Sequence, residues 1–275
     1  MATPPKDSPK HVEEHDLAVD TDERPFLDHI IELRTRLLKA LLAVLVLFFP
    51  LYYFANDLYV WVAAPLMSNL PAGSNMIATE VASPFLTPFK LSMYAAFFLA
   101  MPVILHQTWS FVSPGLYMRE KRFALPLLVS SVVLYYAGMM FAYYLVFPLV
   151  FKFFAGTTPV GVAMMTDINK YLEFVLGMFF AFGFTFEIPI ATFLIVSTGL
   201  TTTKSLVEKR PYVIVGCFIV GMLLTPGPDV ISQLMLAVPM WLLFELGVFF
   251  ARLAERSSAR QDAQNDASVA TTGHD

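Results

Sequence analysis

The chain has 275 residues, of which 57% are hydrophobic and 15% are charged, and its mean hydropathy is +0.63. This composition is typical of a membrane protein with several spans and excludes a soluble globule built on one large core. The net charge of −4 comes mostly from residues 1–25, which hold seven acidic and three basic side chains, and it argues against nucleic acid as a partner. The one cysteine, Cys217, cannot form a disulfide within the chain.

The two ends of the chain are polar. Residues 1–24 are rich in Pro, Asp, Glu and Thr and predict a disordered acidic tail, and residues 252–275 predict a second disordered tail. His11 and His15 are spaced for one helical face, but without a third ligand they do not make a metal site. Residues 25–251 are left as one membrane domain.

The membrane domain begins with a predicted amphipathic helix. Its apolar face holds Phe26, Ile30, Leu33 and Leu37, and its charged face holds Asp28, Glu32, Arg36 and Lys39. A helix with this pattern lies at the membrane interface before the chain enters the membrane. Arg34 falls among the apolar positions, so we expect it to extend to the headgroups or to meet an acidic group.

Six apolar segments follow: residues 37–54, 91–111, 123–151, 171–198, 211–225 and 231–250. We therefore predict an all-α polytopic membrane protein with six transmembrane helices, the last two short. The fifth segment would reach roughly 22 Å, against a hydrocarbon core of about 30 Å. Because a tight turn at residues 226–229 joins it to the sixth, Asp229 and Gln233 would be drawn toward the membrane interior.

The distribution of lysine and arginine predicts the orientation. Twelve of these residues flank the segments on one side, and three flank them on the other: Lys90, Lys152 and Lys170. By the positive-inside rule, both termini lie in the cytoplasm, and Glu32 and Glu120 lie on the same cytoplasmic face. The outside loops, residues 56–88 and 152–170, mix prolines and glycines with apolar residues, and we expect them to be structured against the membrane.

A short polar stretch at residues 111–122 separates the second and third segments. Glu120 lies there among three bases: Arg119, Lys121 and Arg122. Bases are expected at a cytoplasmic membrane edge, so the carboxylate is the group that needs an explanation. It either reduces local repulsion or receives a cation from a partner. Glu32 presents the same choice, because Arg36 four residues later can pair with it for only a few tenths of a kcal/mol.

Glu187 lies well inside the fourth segment, two residues before Pro189. An ionised carboxylate at the membrane centre costs about 2.5 to 3.5 kcal/mol, so such a residue usually faces protein or water. It is either a hydrogen-bonded or protonated acid inside the bundle or a functional contact.

Enzyme chemistry finds little support in the sequence. Residues 199–205 resemble a phosphate loop but lack the glycine before Lys204 and a preceding soluble strand. His29, His106 and His274 have no metal-binding spacing, and no G-x-S-x-G element occurs. We therefore predict a protein that is not an enzyme and has no cofactor or metal.

Several motifs occur in one order along the chain. They are His29-Ile-Ile-Glu32-Leu-Arg34-Thr-Arg36, Phe54-Ala-Asn-Asp57, Ala64-Pro65-Leu66, Val81-Ala-Ser-Pro84-Phe85, Ser113-Pro-Gly-Leu-Tyr117 with Glu120, Phe186-Glu187-Ile-Pro189, Arg210-Pro-Tyr212 and Leu224-Thr-Pro226-Gly-Pro-Asp229. Together they resemble the TatC family, the six-span subunit of the bacterial twin-arginine protein translocase. The resemblance covers residues 26–252 and neither tail.

The resemblance implies a concave bundle in the bacterial inner membrane that acts as a receptor for folded proteins whose signals carry paired arginines. Glu32 and Glu120 would accept the arginine pair, with Arg34 and Phe111 nearby. Three more residues would meet the signal or single-span partners of the TatA and TatB type: Glu187, Asp229 and Gln233. Pro65 would shape the outer cap. The family also implies self-association in a receptor complex, contact with membrane lipid, and export driven by the proton-motive force.

Two other function classes remain open. A small-solute secondary transporter would also use an intramembrane carboxylate such as Glu187, but it should show internal repeats and a midplane cavity. A structural scaffold would need neither Glu32 nor Glu120. Export that survives substitution of both carboxylates would favour the scaffold, and proton-coupled solute uptake by the purified protein would favour the transporter.

Overall fold

In the computed structural model, the described residues are 11–68, 75–112, 124–159, 162, 165–224 and 230–272. Apart from one isolated β-bridge, α- and π-helix are the only regular structures among them. The helices are α1 His11–Tyr53, α2 Ala55–Met67, α3 Ser83–Leu99, α4 Met101–Val112, α5 Ala124–Phe141, α6 Phe147–Thr157, α7 Ile168–Thr185, α8 Ile188–Ser197, α9 Thr203–Glu208, α10 Arg210–Leu224 and α11 Val230–Thr272, and a π-helical turn, Ala142–Val146, joins α5 to α6.

Four helical segments are long and apolar enough to cross a membrane: Ile30–Tyr53, Leu125–Thr157, Ile168–Ser197 and Gln233–Leu253. A fifth span forms if α3 and α4, which meet at 49°, are taken together. α10 has only 15 residues, as predicted for the fifth segment, whereas the last span has 21 and is not short. The predicted all-α polytopic class is therefore confirmed, and the count of six spans stays a prediction.

The polar ends of the chain continue the first and last helices. α1 begins at His11 and runs without a break through the predicted amphipathic segment into the first span, and α11 continues to Thr272. The backbone is thus helical over much of residues 1–24 and 252–275, for which the sequence predicts disorder. Extending an existing helix adds a hydrogen bond for each residue ordered and needs no new nucleus, which accounts for the difference. The domain boundaries at 24 and 252 stay predictions.

The core lies where α5 and α7 meet. Tyr135 of α5 and Phe182 of α7 are fully buried there, as is Phe147 at the start of α6. A Cβ atom at Gly138 would lie 2.5 Å from the carbonyl oxygen of Phe182, so only glycine permits this approach of the two helices. Around this centre, α1 packs against α3 and α4, and α11 packs against α8 and α10.

The chain direction defines two ends of the bundle. α1 leads directly into α2, and its last turns line a cavity together with Pro84 and Phe85 at the start of α3. Lys90 of α3 hydrogen bonds to Asn169 at the start of α7. We call this the α2 end. Because α3 and α4 run back along α1, Glu32 and the last turn of α4 both lie at the opposite end.

The bend between α3 and α4 has a local cause. Pro102 has no N–H to donate to the carbonyl of Phe98, so the helical ladder is interrupted there. The hydroxyl of Tyr136 on α5 donates to that carbonyl at 3.1 Å. A neighbouring helix thus satisfies the carbonyl that proline leaves without its helical donor.

Candidate functional site

Glu32 lies on α1 at the opposite end from α2. Arg36, one turn later, donates from Nε to Glu32 Oε1 at 2.9 Å and from Nη2 to the same oxygen. The Glu32 side chain is 37% exposed and that of Arg36 is 22% exposed. The pair expected from the four-residue spacing is therefore present, and it holds a carboxylate at a solvent-accessible end of the bundle.

The other residues predicted for signal binding are only partly located. Arg34 is exposed on α1, and Phe111 is half-buried next to the end of α4. Since α1 packs against α4, Glu32, Arg34 and Phe111 belong to the same end of the bundle. Glu120 falls in residues 113–123, outside the described residues, so the predicted carboxylate pair stays a prediction.

Glu187 lies at a break within the fourth predicted segment. α7 ends at Thr185, Glu187 is the residue that precedes α8, and Pro189 stands in the first turn of α8. Its side chain is half-buried, and its Oε1 atom is buried without a hydrogen-bond partner among the described residues. The carboxyl group thus faces protein, as the cost of exposing it to lipid requires.

A side chain of α5 faces Glu187 and is itself bonded to α4. The hydroxyl of Ser131 on α5 faces its carboxyl group and interacts with it, and Trp109 of α4 donates from Nε1 to Ser131 Oγ at 3.2 Å. Sequence reasoning missed Ser131, because a serine in an apolar segment gives no periodic or spacing signal. Only the fold brings it beside a carboxylate 56 residues away, as counted from 131 to 187.

Gln233 joins the last two helices of the bundle. Its Nε2 donates to the carbonyl of Phe218 on α10 at 2.7 Å, and its Cγ would lie 3.2 Å from a Cβ at Gly221. This contact closes the hairpin between α10 and α11. Asp229, predicted to act with Gln233, lies outside the described residues.

Pro65 is buried inside α2 and interrupts the helical ladder. It cannot donate to the carbonyl of Trp61. Tyr143, in the π-helical turn after α5, donates its hydroxyl to that carbonyl at 2.9 Å and stacks on the Trp61 ring at a centroid distance of 4.4 Å. The neighbouring carbonyl of Val62 accepts from Tyr171 at 2.7 Å. α2 is therefore fixed to the bundle through its own backbone.

The two segments that flank α2 in space are also joined. Ile77 and Asp167 form a parallel bridge, in which Ile168 N donates to Ile77 O at 2.9 Å. The Asp167 carboxylate caps α7 and accepts from Thr79 N at 2.9 Å and Thr79 Oγ1 at 2.6 Å. The hydrogen bonds from Thr79 are the main cause that lowers the pKa of Asp167 to about 2. The expectation of structured loops holds for these residues.

Comparison with known proteins identifies the family. Residues 28–239 match the family model described as TatC, Sec-independent protein translocase protein. The chain belongs to the TatC family. Among the described residues, no group of three or more His, Cys, Asp or Glu lies close enough to hold a metal ion.

Similar members of the TatC family come from several bacteria. The chain is 62% identical over 239 residues to the Sec-independent protein translocase protein TatC of Azotobacter chroococcum mcd 1, covering 86% of this chain and 93% of that one. It is 56% identical over 231 residues to the TatC of Escherichia coli K12, covering 84% and 89% of the two chains. A crystal structure of the twin arginine translocase receptor TatC matches with a TM-score of 0.74 at 35% identity, covering 82% of this chain and 99% of that one.

Membership of the TatC family sets the class of function. The chain is a multi-pass membrane protein and a component of a protein translocase, so it is a transport protein rather than an enzyme. The family resemblance derived from the ordered sequence motifs is thereby confirmed. The individual roles of Glu32, Arg34, Phe111, Glu187 and Gln233 stay predictions.

Proposed function

We propose that this chain is the signal receptor of a twin-arginine translocase and that it binds paired arginines at Glu32 and Glu120. Arg34 and Phe111 complete the contact surface. The observation that carries the proposal is the pair between Glu32 and Arg36, in which Glu32 already binds a guanidinium group. The solved relative named as the twin arginine translocase receptor supports the same role.

The strength of the Glu32–Arg36 pair suits an exchange. A pair between residues four apart on a helix contributes only a few tenths of a kcal/mol. An arginine pair bound to both Glu32 and Glu120 would form charge-assisted hydrogen bonds to two carboxylates, whereas Arg36 bonds to one. An incoming arginine that is held by a second carboxylate as well would therefore displace Arg36 at little cost. Arginine fits this site better than lysine because its planar guanidinium group can form two parallel bonds to a carboxylate.

The decisive experiment is site-specific photocrosslinking from position 120 to a signal peptide with either two arginines or two lysines. We expect crosslinks to the arginine peptide and a loss of most of them with the lysine peptide. Glu32→Gln should reduce the arginine crosslinks because it removes the charge and keeps the side-chain size. Glu208→Gln is the matched control, since Glu208 is an exposed carboxylate on α9 at the same end of the bundle.

Equal crosslinking of the two peptides, or equal effects of the Glu32 and Glu208 variants, would contradict the proposed site. A purely structural scaffold would give that second result. Membrane insertion of each variant is measured in parallel, so that a loss of protein is not mistaken for a loss of binding.

We further propose that Glu187 contacts a polar group of a single-span partner of the TatA or TatB type. One buried polar atom supports this assignment: Glu187 Oε1 lacks a hydrogen-bond partner among the described residues, and the Glu187 side chain is only half-buried. A polar side chain of a partner beside α8 would reach the accessible part of the Glu187 side chain and, after a change of its rotamer, satisfy this oxygen, which costs about 1–3 kcal/mol when left unpaired. The hairpin residues Gln233 and Asp229 would contact the signal or these partners at a separate place, because it is Gly247, 14 residues after Gln233 on α11, that packs against Pro189 beside Glu187.

Copurification tests the Glu187 contact. Glu187→Ala should leave the first binding of a signal peptide unchanged and reduce the recovery of TatA-type and TatB-type partners with the tagged chain. Thr185→Ala is the control, because Thr185 is a buried polar residue two positions away whose hydroxyl bonds within its own helix. Equal partner recovery from wild type and Glu187→Ala would contradict the assignment.

The proposed setting is the bacterial inner membrane with both termini in the cytoplasm, supported by the twelve-to-three distribution of lysine and arginine. The α2 end would then face the outside, and Pro65 would shape the outer cap. Export would draw on the proton-motive force and need no cofactor. The chain would also self-associate in the receptor complex.

A further inference from the structure

A large groove opens on the side of the bundle between α1 and α7. Its volume is about 840 Å³. Four α1 residues between Leu37 and Val44 form one wall, α3 contributes another, and α7 lines it from Leu172 to Phe180. The lining of α7 covers roughly 12 Å along the helix axis, comparable to one leaflet of a hydrocarbon core about 30 Å thick.

The chemistry of the groove favours an apolar occupant. Nearly all of its described lining residues are apolar, and large side chains such as Leu37 and Met93 are more than 45% exposed there, at 66% and 49%. A water molecule needs two to four polar partners to be stable in a cavity, and this surface supplies few. Because the groove lies along the membrane-crossing part of α1 and α7, hydrocarbon is the solvent that reaches it.

Charged groups stand at one rim of the groove, toward the α2 end. Lys90 and Glu173 are the charged side chains among the described lining residues. Lys90 Nζ donates to Asn169 at 3.1 Å and lies 3.7 Å from Glu173, and Lys170 Nζ lies 3.3 Å from the same carboxylate. The cluster holds two cations and one anion. Lys170 is 78% exposed, so its ammonium group can take a further acceptor.

We propose that this groove is a binding site for an anionic phospholipid of the leaflet at the α2 end. The phosphate group contacts the ammonium groups of Lys90 and Lys170, and an acyl chain lies in the groove. Charge complementarity decides for an anionic lipid, because the Lys90–Lys170–Glu173 cluster has a net charge of +1 that one headgroup neutralises. The proposal does not depend on the signal-binding site, which lies at the opposite end.

The rim also argues against a protein helix as the occupant. A transmembrane helix would need an acidic side chain at the level of Lys90 and Lys170 to match the charge of the rim. Every phospholipid, by contrast, has a phosphate group at the membrane interface above its acyl chains. Lysine is suited to this role, since its apolar stem lies along hydrocarbon while the ammonium group reaches the headgroups.

Native mass spectrometry of the purified full chain in detergent, with added phosphatidylglycerol or phosphatidylcholine, tests the proposal. Wild type should bind phosphatidylglycerol more tightly than phosphatidylcholine. The double variant Lys90→Gln, Lys170→Gln should bind phosphatidylglycerol about tenfold more weakly, the change expected when a charge-assisted hydrogen bond is lost. Lys152→Gln is the matched control, an exposed lysine on α6 outside the groove.

A second pair of variants tests the groove itself. Leu41 lines it and is 61% exposed, and Leu42 is its neighbour on α1, 59% exposed and outside the lining. Leu41→Trp should fill part of the groove and weaken phosphatidylglycerol binding, whereas Leu42→Trp should not. Equal binding of the two lipids to wild type overturns the proposal. So does unchanged phosphatidylglycerol binding in either the Lys90→Gln, Lys170→Gln variant or the Leu41→Trp variant. A normal signal-peptide crosslink in the lysine variant keeps this result separate from the receptor function.

Discussion

The two ends of the bundle differ in how the backbone of their helices is held. At the α2 end, the tyrosine hydroxyls of Tyr143 and Tyr171 donate to backbone carbonyls of α2, and Thr79 binds Asp167. Ion pairs occur at both ends: Lys90 and Lys170 with Glu173 at the α2 end, and Glu32 with Arg36 and Arg210 with Glu245 at the opposite end. A charged ligand can exchange a partly exposed ion pair such as Glu32–Arg36, but it cannot replace the buried bond from Tyr171 to the Val62 carbonyl. Tyrosine bonds therefore fix the backbone of α2 at one end, whereas the Glu32–Arg36 pair at the other end is open to exchange.

The largest expected effect comes from the close contact of α5 and α7 at the core, on which both ends depend. In Gly138→Ala, the new methyl group would lie 2.5 Å from the Phe182 carbonyl oxygen, so α5 and α7 must separate. We expect a loss at the upper end of about 1–3 kcal/mol in the free energy of unfolding, measured by denaturation in detergent. Gly216→Ala is the control, because nothing lies within 4 Å of its Cβ position. Equal stability of the two variants would show that the close contact is not needed.

The next effect concerns the hydrogen bond from Tyr143 to the Trp61 carbonyl, which Pro65 leaves without a helical donor. Tyr143→Phe leaves the Trp61 carbonyl without a donor and should cost about 1–2 kcal/mol. In a Pro65→Ala background, the restored N–H of residue 65 can donate to Trp61, so the same tyrosine change should cost close to nothing. A double-mutant cycle measures this coupling directly. If the effects of the two substitutions are additive, the contribution of the Tyr143 bond does not depend on Pro65.

These tyrosine contacts mark the limit of sequence-based prediction for this chain. The apolar segments, the short α10 and the Glu32–Arg36 pair follow from length and spacing within one helix. By contrast, Tyr143 lies 82 residues from Trp61, and Asp167 lies 88 residues from Thr79. Hydrophobic periodicity gives the face of a helix but not its neighbour. The disordered tails were predicted from composition, which does not register that a helix already formed in the membrane continues into a polar segment.

The candidate site also has a part that the sequence predicts and a part that only the fold shows. Glu187 was identified because a carboxylate is costly in a membrane, a property of the residue alone. Its neighbour Ser131, and Trp109 that bonds to Ser131, give no such signal, because neither residue is unusual in an apolar helix. The ordered motifs named the family, but they did not supply the contacts that hold Gln233 on Phe218.

A smaller loss of folding stability is expected at low pH. Hydrogen bonds, chiefly from Thr79, lower the pKa of Asp167 from its ordinary 3.8 to about 2. A carboxylate with a lowered folded-state pKa stabilises the fold above its ordinary pKa, and this contribution disappears as the pH falls through the folded-state value. Wild type should therefore lose stability relative to Asp167→Asn between about pH 4 and pH 2. Parallel unfolding curves of the two proteins over this range would contradict the role given to Thr79.

The smallest expected change in stability is at the Glu32–Arg36 pair, and there the comparison between the ends is tested most directly. Arg36→Gln should change the free energy of unfolding by only a few tenths of a kcal/mol, because the pair lies within one helix and is partly exposed. It should nevertheless strengthen binding of a paired-arginine peptide, since the competitor for Glu32 is gone. Lys39→Gln, at an exposed position on the same helix, removes an equal charge and serves as the control. If Arg36→Gln destabilised the fold as much as Tyr143→Phe, the pair would be a fixed structural contact and the two ends would not differ in kind. If it left peptide binding unchanged while Glu32→Gln abolished it, Glu32 would bind the signal without exchanging Arg36.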